Sequence, residues 1–142
     1  SLLMRLMKKQ EDARLELNQK ATALQNDYIN YQQKIENNAF LSRERAESEA
    51  ARLQRRQEEL QQLEQTKTQE LLEEQQKVSE EVRNDINDAI NVLNEDGRYH
   101  LVLTTSSLND NVLFAAPQYD ITEDIVEELN KKYGKGSTEE KE

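Results

Sequence analysis

Residues 36–44 read "ENNAFLSRE", a short break in a chain that contains no glycine or proline before Gly97. Asn37 and Asn38 are poor helix formers that tolerate left-handed or turn geometry. Ser42 can cap a new helix whose first turn carries Glu44. The spacing predicts a chain reversal near residues 37–42, and the fold follows from what lies on either side of it.

Upstream, positions 3, 7, 10, 14, 17, 21, 24, 28, 31 and 35 step by four and three and read Leu, Met, Gln, Arg, Leu, Ala, Leu, Tyr, Tyr, Ile. This is a coiled-coil seam, interrupted only at Gln10 and Arg14. Downstream, Ala46, Ala50, Leu53, Leu60, Leu63, Leu71, Val78, Val82, Ile86, Ala89 and Leu93 carry a helical seam to about Asn94. At 1.5 Å per residue the two helices span roughly 50 and 80 Å. Folded back antiparallel, they pair Leu3 with the neighbourhood of residue 76 and leave residues 78–94 without a partner inside the chain. Surface pairs Glu16 with Lys20 and Glu73 with Lys77 have the i, i+4 spacing that supports a helix.

"NEDGR" (94–98) stops the second helix, with Gly97 suited to a left-handed C′ position. "YHLVLTTSSLNDNVLFAAP" (99–117) then reads as a β-hairpin. Tyr99, Leu101 and Leu103 fall on one face and Val102 on the other with His100 and Thr104; "SSLNDN" is turn chemistry, Val112 to Ala115 return, and Pro117 ends the strand. Two strands alone are marginally stable in water. Leu101, Val102, Leu103, Val112 and Phe114 are therefore expected to bury themselves in an assembly. "DITEDIVEELNKKYG" closes the ordered part as a helix of about three turns. Asp120 and Glu123 have capping-box spacing, Ile121, Ile125 and Leu129 lie on one face, and Lys131, Lys132 and Gly134 stand at the end. The expected organisation is an arm over 1–94, a hairpin-and-helix module over 95–134, and a disordered tail over 135–142.

Composition narrows the function. The chain of 142 residues is 35% hydrophobic and 34% charged, with 19 basic and 29 acidic residues and a net charge of −10. That balance disfavours a large single core and general nucleic-acid binding, which needs a basic face. No cysteine is present, and the one histidine, His100, has no cluster of carboxylates beside it, so no metal or cofactor is expected. There is no phosphate-binding glycine loop and no nucleophile motif, and an enzyme is not expected. No apolar run approaches the roughly 20 residues that cross a bilayer.

One local charge feature stands out. From Lys34 to Arg56 the chain carries Lys34, Arg43, Arg45, Arg52, Arg55 and Arg56 against Glu36, Glu44, Glu47 and Glu49, a net of +2 at the reversal, so the remainder carries −12. Two readings stand: a solvated helix face, which is the ordinary role of such residues, or a mildly basic tip that contacts a client or a membrane surface. Phe40 and Leu41 at the turn are candidates for the same contact, or for a staple at the start of the second helix.

The order of these parts, together with "LVL", "VLFAAP" and "YDITEDIVEEL", resembles the OmpH/Skp family of periplasmic chaperones. The resemblance implies a mainly α fold with a small β part: a long antiparallel coiled-coil hairpin, then a β-hairpin and short helix that join a barrel-like oligomerisation module. It implies a homotrimer, located in the periplasm, that holds unfolded outer-membrane proteins between its arms without ATP. The family's first strand, upstream of the arm, has no counterpart in the 142 residues, which suggests an incomplete N-terminus. The family's best-known members are strongly basic, whereas this chain is acidic. A structural coiled-coil spacer is the alternative. A prefoldin-like arrangement is disfavoured, because there the hairpin lies between the two helices.

Overall fold

The computed structural model describes residues 1–105 and 111–136. Its elements are α1 (Leu2–Glu36), α2 (Arg43–Leu93), a 3₁₀ turn at Pro117–Tyr119, and α3 (Thr122–Gly136). The chain forms two compact units, Ser1–Val78 and Ser79–Glu142.

In the first unit the reversal falls where the two asparagines put it. α1 starts with the Ser1 hydroxyl accepting from the Met4 N–H at 3.3 Å. It ends with Asn38 at φ +48°, while the Ala39 N–H donates to Lys34 O at 2.9 Å and the Asn38 N–H to Ile35 O at 3.2 Å. These two bonds are a Schellman motif with asparagine in the left-handed position. α2 is opened by Ser42, whose Oγ accepts from the Arg45 N–H at 3.2 Å. Phe40 turns back onto α1, its ring centroid 5.5 Å from that of Tyr31. Leu41 is 84% exposed, so it forms no staple with the second helix.

The register is written in cross-helix ion pairs. Lys34 meets Glu49, Asp27 meets Arg56, Glu16 meets Lys67 and Lys9 meets Glu74, so each pair of residue numbers sums to 83. Arg5, which also bonds Glu74 at 2.7 Å, has the register of the sequence expectation, Leu3 opposite the neighbourhood of residue 76, and the other four pairs lie within one helical turn of it. Neither expected i, i+4 pair forms: Glu16 reaches across to Lys67 at 3.1 Å, and Glu73 accepts from Gln69 at 3.1 Å.

The seam differs from the heptad reading along the whole of α1, where the expected seam residues Ala21, Tyr28 and Ile35 are exposed as well. Leu17, Leu24 and Tyr31 lose solvent as expected, but Leu3 and Met7 are 64% and 58% exposed, while Leu2, Leu6 and Ala13 turn inward. Ala13 and Leu24, the buried apolar residues of α1, are eleven residues apart. Eleven residues complete about three turns of a 3.6-residue helix, so this spacing keeps to one face, whereas a strict heptad drifts by about 20° per repeat. Gln10 and Arg14 interrupt the heptad pattern because the face in use runs one residue earlier.

In the second unit, the end of α2 acquires a partner that sequence reasoning did not supply. Lys132 and Tyr133 of α3 both donate to the Asp85 carboxylate, and Lys132 Nζ lies 4.0 Å from Asp88. Ile121, Ile125 and Leu129, on the same side of α3 as Lys132, are half-buried, and Ala89 of α2 is 4% exposed. The expectation that residues 78–94 lack a partner inside the chain is therefore corrected: α3 takes that place. Its N-terminus uses an i to i+2 contact instead of a capping box, with Asp120 Oδ1 accepting from both the N–H (2.9 Å) and the hydroxyl (2.6 Å) of Thr122. α3 runs to Gly136, past the expected stop at Gly134.

Between the helices, Gly97 has φ +71° and closes a turn, its N–H donating to Asn94 O at 2.9 Å; it does not sit directly behind the helix as a C′ residue. The Asn94 side chain then clasps Tyr99 from both sides, accepting its N–H at 2.8 Å and donating to its carbonyl at 2.9 Å. No strand is present among residues 99–105 and 111–116. The expected hairpin turn falls mainly on residues 106–110, outside the described residues, as does the expected tail from residue 137 onward.

Candidate functional site

The residues expected to drive assembly fall into two groups. Val102 and Val112 are half-buried, whereas Leu101, Leu103 and Phe114 are 74%, 61% and 83% exposed. Among residues 100–105 Val102 alone is half-buried; His100 and Thr104, which would share its face in an extended chain, are exposed. Leu113, 94% exposed, and Tyr119, 75% exposed, are further large side chains open to solvent. Sequence reasoning passed over both, although the run of Val112, Leu113 and Phe114 is apolar on both faces and so signals a strand covered on both sides.

The basic residues at the reversal also divide. Arg43 is paired with Glu47 at 2.9 Å, Arg52 lies 3.6 Å from Glu49, and Arg56 is bonded across the arm to Asp27. Arg45 and Arg55 have no ion-pair partner among the described residues. Phe40 is covered by Tyr31 and by Lys34, whose Nζ lies 5.5 Å from the ring centroid, and only Leu41 projects freely. An open groove of 440 Å³ beside the reversal is lined by Asp27, Lys34, Glu49 and Arg52 among others, charges of both signs that partly satisfy one another. Of the seven tip residues picked out from the sequence, Leu41, Arg45 and Arg55 are exposed with no ion pair or ring contact among the described residues.

Two carboxylates lock the units internally. Glu74, 5% exposed, accepts from Lys9 at 2.6 Å and from Arg5 at 2.7 Å. Lys9 and then Arg5 hold its carboxyl below the usual range against the opposing effect of burial. Asp85 is likewise held down, first by Lys132 and then by Tyr133, and the same contacts raise both of those partners. No sequence rule identified either site, because each joins residues more than 40 positions apart.

Among the described residues no group of three or more His, Cys, Asp or Glu is placed to hold a metal ion. No described helix is long and apolar enough to cross a membrane.

No curated protein and no solved structure matches the chain. A protein-family model described as outer membrane protein (OmpH-like) matches residues 2–129, which takes in both arms of the helical hairpin, the exposed apolar segment and the first half of α3. By sequence and by its long helical hairpin, this chain belongs to the OmpH-like family.

Proposed function

We propose that this chain is an ATP-independent periplasmic holdase, a trimer whose coiled-coil arms bind unfolded outer-membrane proteins. Residues 99–116 pair as strands within and between subunits to form the barrel-like module that joins the arms. The observation that carries the reading is the display of Leu101, Leu103, Leu113 and Phe114 to solvent on a segment whose described residues form no strand. Apolar side chains in such a row stabilise a fold only when covered, and unpaired backbone beside them favours strand partners from another copy. Membership of the OmpH-like family supports the same assembly. Leu41, Arg45 and Arg55 at the far end of the arm contact clients or an anionic membrane surface.

The test pairs two measurements on the whole chain: mass in solution by light scattering, and suppression of aggregation of an outer-membrane β-barrel protein diluted from urea. A trimer that suppresses aggregation at near-stoichiometric amounts is expected. A trimer that fails to suppress it is a structural spacer, and a monomer removes the assembly role of residues 99–116.

A further inference from the structure

The ion pairs across the arm follow a pattern that reads the same in both directions. On α1 the paired residues are Lys9, Glu16, Asp27 and Lys34, at steps of seven, eleven and seven. Their partners Glu49, Arg56, Lys67 and Glu74 repeat those steps on α2. The signs run plus, minus, minus, plus on α1 and minus, plus, plus, minus on α2. Arg5, the second cation on Glu74, agrees in sign with Lys9. Steps of seven and eleven keep to one side of a helix, so these charges flank the seam along its length. The apolar seam of α2 has the same symmetry. Ala46 and Val78, and likewise Leu53 and Leu71, lie at equal distances on either side of residue 62, and all four are buried or half-buried.

A symmetric seam cannot by itself tell α1 from a second copy of α2. Two α2 helices laid antiparallel about residue 62 would bring Leu53 level with the partner's Leu71 and Ala46 level with the partner's Val78, so the apolar layers would still meet. The charges would not. Glu49 would face the partner's Glu74, Arg56 the partner's Lys67, and Glu59 the partner's Glu64. Two α1 helices laid antiparallel would likewise set Lys9 against the partner's Lys34 and Glu16 against the partner's Asp27. We infer that these ion pairs are a partner code, which admits α1 to α2 and rejects either helix with its own copy, so that copies of this chain meet through other surfaces while their arms stay separate. Glu74 apart, the paired side chains remain partly exposed, so each pair adds little to stability. Their weight lies in the difference between matched and mismatched partners, as charges beside a coiled-coil seam set partner choice. A slip of the arm by one heptad is rejected in the same way. In one sense it sets Lys9 against Lys67 and Asp27 against Glu49, in the other Glu16 against Glu74 and Lys34 against Arg56. The code is blind to whether α2 belongs to the same chain, and there the short connection over residues 37–42 decides, by holding α1 beside its own α2. The code acts within the arm and does not depend on how residues 99–116 join copies.

The experiment rewrites the code without changing the pairing inside the arm. In the alternating variant, Asp27→Lys and Lys34→Glu on α1 are combined with Glu49→Lys and Arg56→Glu on α2. Every pair within the arm stays matched and the net charge is unchanged, but two α1 helices, or two α2 helices, now match as well. Arg52, which loses Glu49, gains the carboxylate introduced at position 56, four residues on. The control combines Glu16→Lys and Asp27→Lys with Arg56→Glu and Lys67→Glu. It also keeps the arm pairs and the net charge, yet leaves each contact between copies of one helix a contact of like charges. The unmodified chain and both variants are unfolded in urea and refolded at several concentrations, so that the helices choose partners afresh. Mass is read by light scattering and melting by circular dichroism. The alternating variant is expected to form species of at least about twice the unmodified mass, in a share that rises with concentration and falls in about 1 M salt, where the screening length is about 3 Å. The control is expected to keep the unmodified mass, and both variants to melt within about 5 °C of the unmodified chain. An alternating variant with unmodified mass and melting temperature would overturn the inference, and so would equal association by the control, which would mark a general effect of charge substitution. A fall of more than about 10 °C in either variant would overturn it as well, by showing that the pairs hold the arm together instead of choosing its partner.

Discussion

Leu53→Ala is the sharpest probe of how the arm is held together. Leu53 is 1% exposed, the most enclosed large side chain among the described residues, and the cross-helix register places it level with Tyr31. The change removes three carbons, worth about 2.4 kcal/mol at about 0.8 kcal/mol per buried methylene. A residual cavity adds to this, and buried Leu→Ala changes cost about 2–5 kcal/mol in all. Two helices with solvent on both sides can close partly over the gap, so the lower end, about 2–3 kcal/mol, is expected. For a unit of this size that lowers the melting temperature by about 10–20 °C. Far-UV circular dichroism on the whole chain reads the change. Leu41→Ala, at a residue 84% exposed, should stay within about 0.5 kcal/mol of the parent. Leu3→Ala carries the discriminating result. A heptad seam would place Leu3 inside, whereas the structure leaves it 64% exposed. If Leu3→Ala destabilises the arm as much as Leu53→Ala, the seam described above is wrong.

Phe114→Asp should dissociate the assembly, because burying a Phe contributes about 1.5–3 kcal/mol per subunit and an unpaired carboxylate in its place adds a further cost; an unchanged mass by light scattering would exclude Phe114 from the interface. Acid should loosen both units. The carboxyls of Glu74 and Asp85 are depressed in the folded chain, so their stabilisation is complete above the unfolded values, about 4.3 and 3.9, and is lost as pH falls through the lower folded ones. Melting curves from neutral pH to about pH 2 should therefore drop most steeply below about pH 4, and Glu74→Gln should flatten that drop. Arg56→Gln, which strands Asp27, should lower the melting temperature, whereas Arg45→Gln with Arg55→Gln should leave it unchanged and weaken binding to anionic vesicles at low salt only. Vesicle binding that ignores both salt and these substitutions would return Arg45 and Arg55 to the role of a solvated helix face.

Local chemistry was legible in the sequence because it acts over three or four residues. Asn37, Asn38 and Ser42 announced the reversal, since a left-handed residue and a side-chain cap are properties of single positions. Asp120 was rightly placed at the entry to α3, although its oxygen serves Thr122 and not the bond a capping box would make. The inward side of α1 was legible at Leu17, Leu24 and Tyr31 but not at Ala21, Tyr28 and Ile35, which are exposed, and it was misplaced before Leu17. Two patterns one residue apart are both apolar there, Leu3 with Met7 and Leu2 with Leu6, and only the facing helix chooses between them. The same limit hid the partner of Asp85, because α3 meets α2 across more than 40 residues of chain and no spacing rule reaches so far. The uncharged outward face of α1, from Leu15 to Gln33, shows both halves of the matter. Its lack of charge is written in the sequence, but whether it faces α2 or solvent depends on the rotation of α1, set by Leu24, Leu53 and the ion pairs across the arm. Composition determines what a surface can do, and packing decides which surface is left to do it.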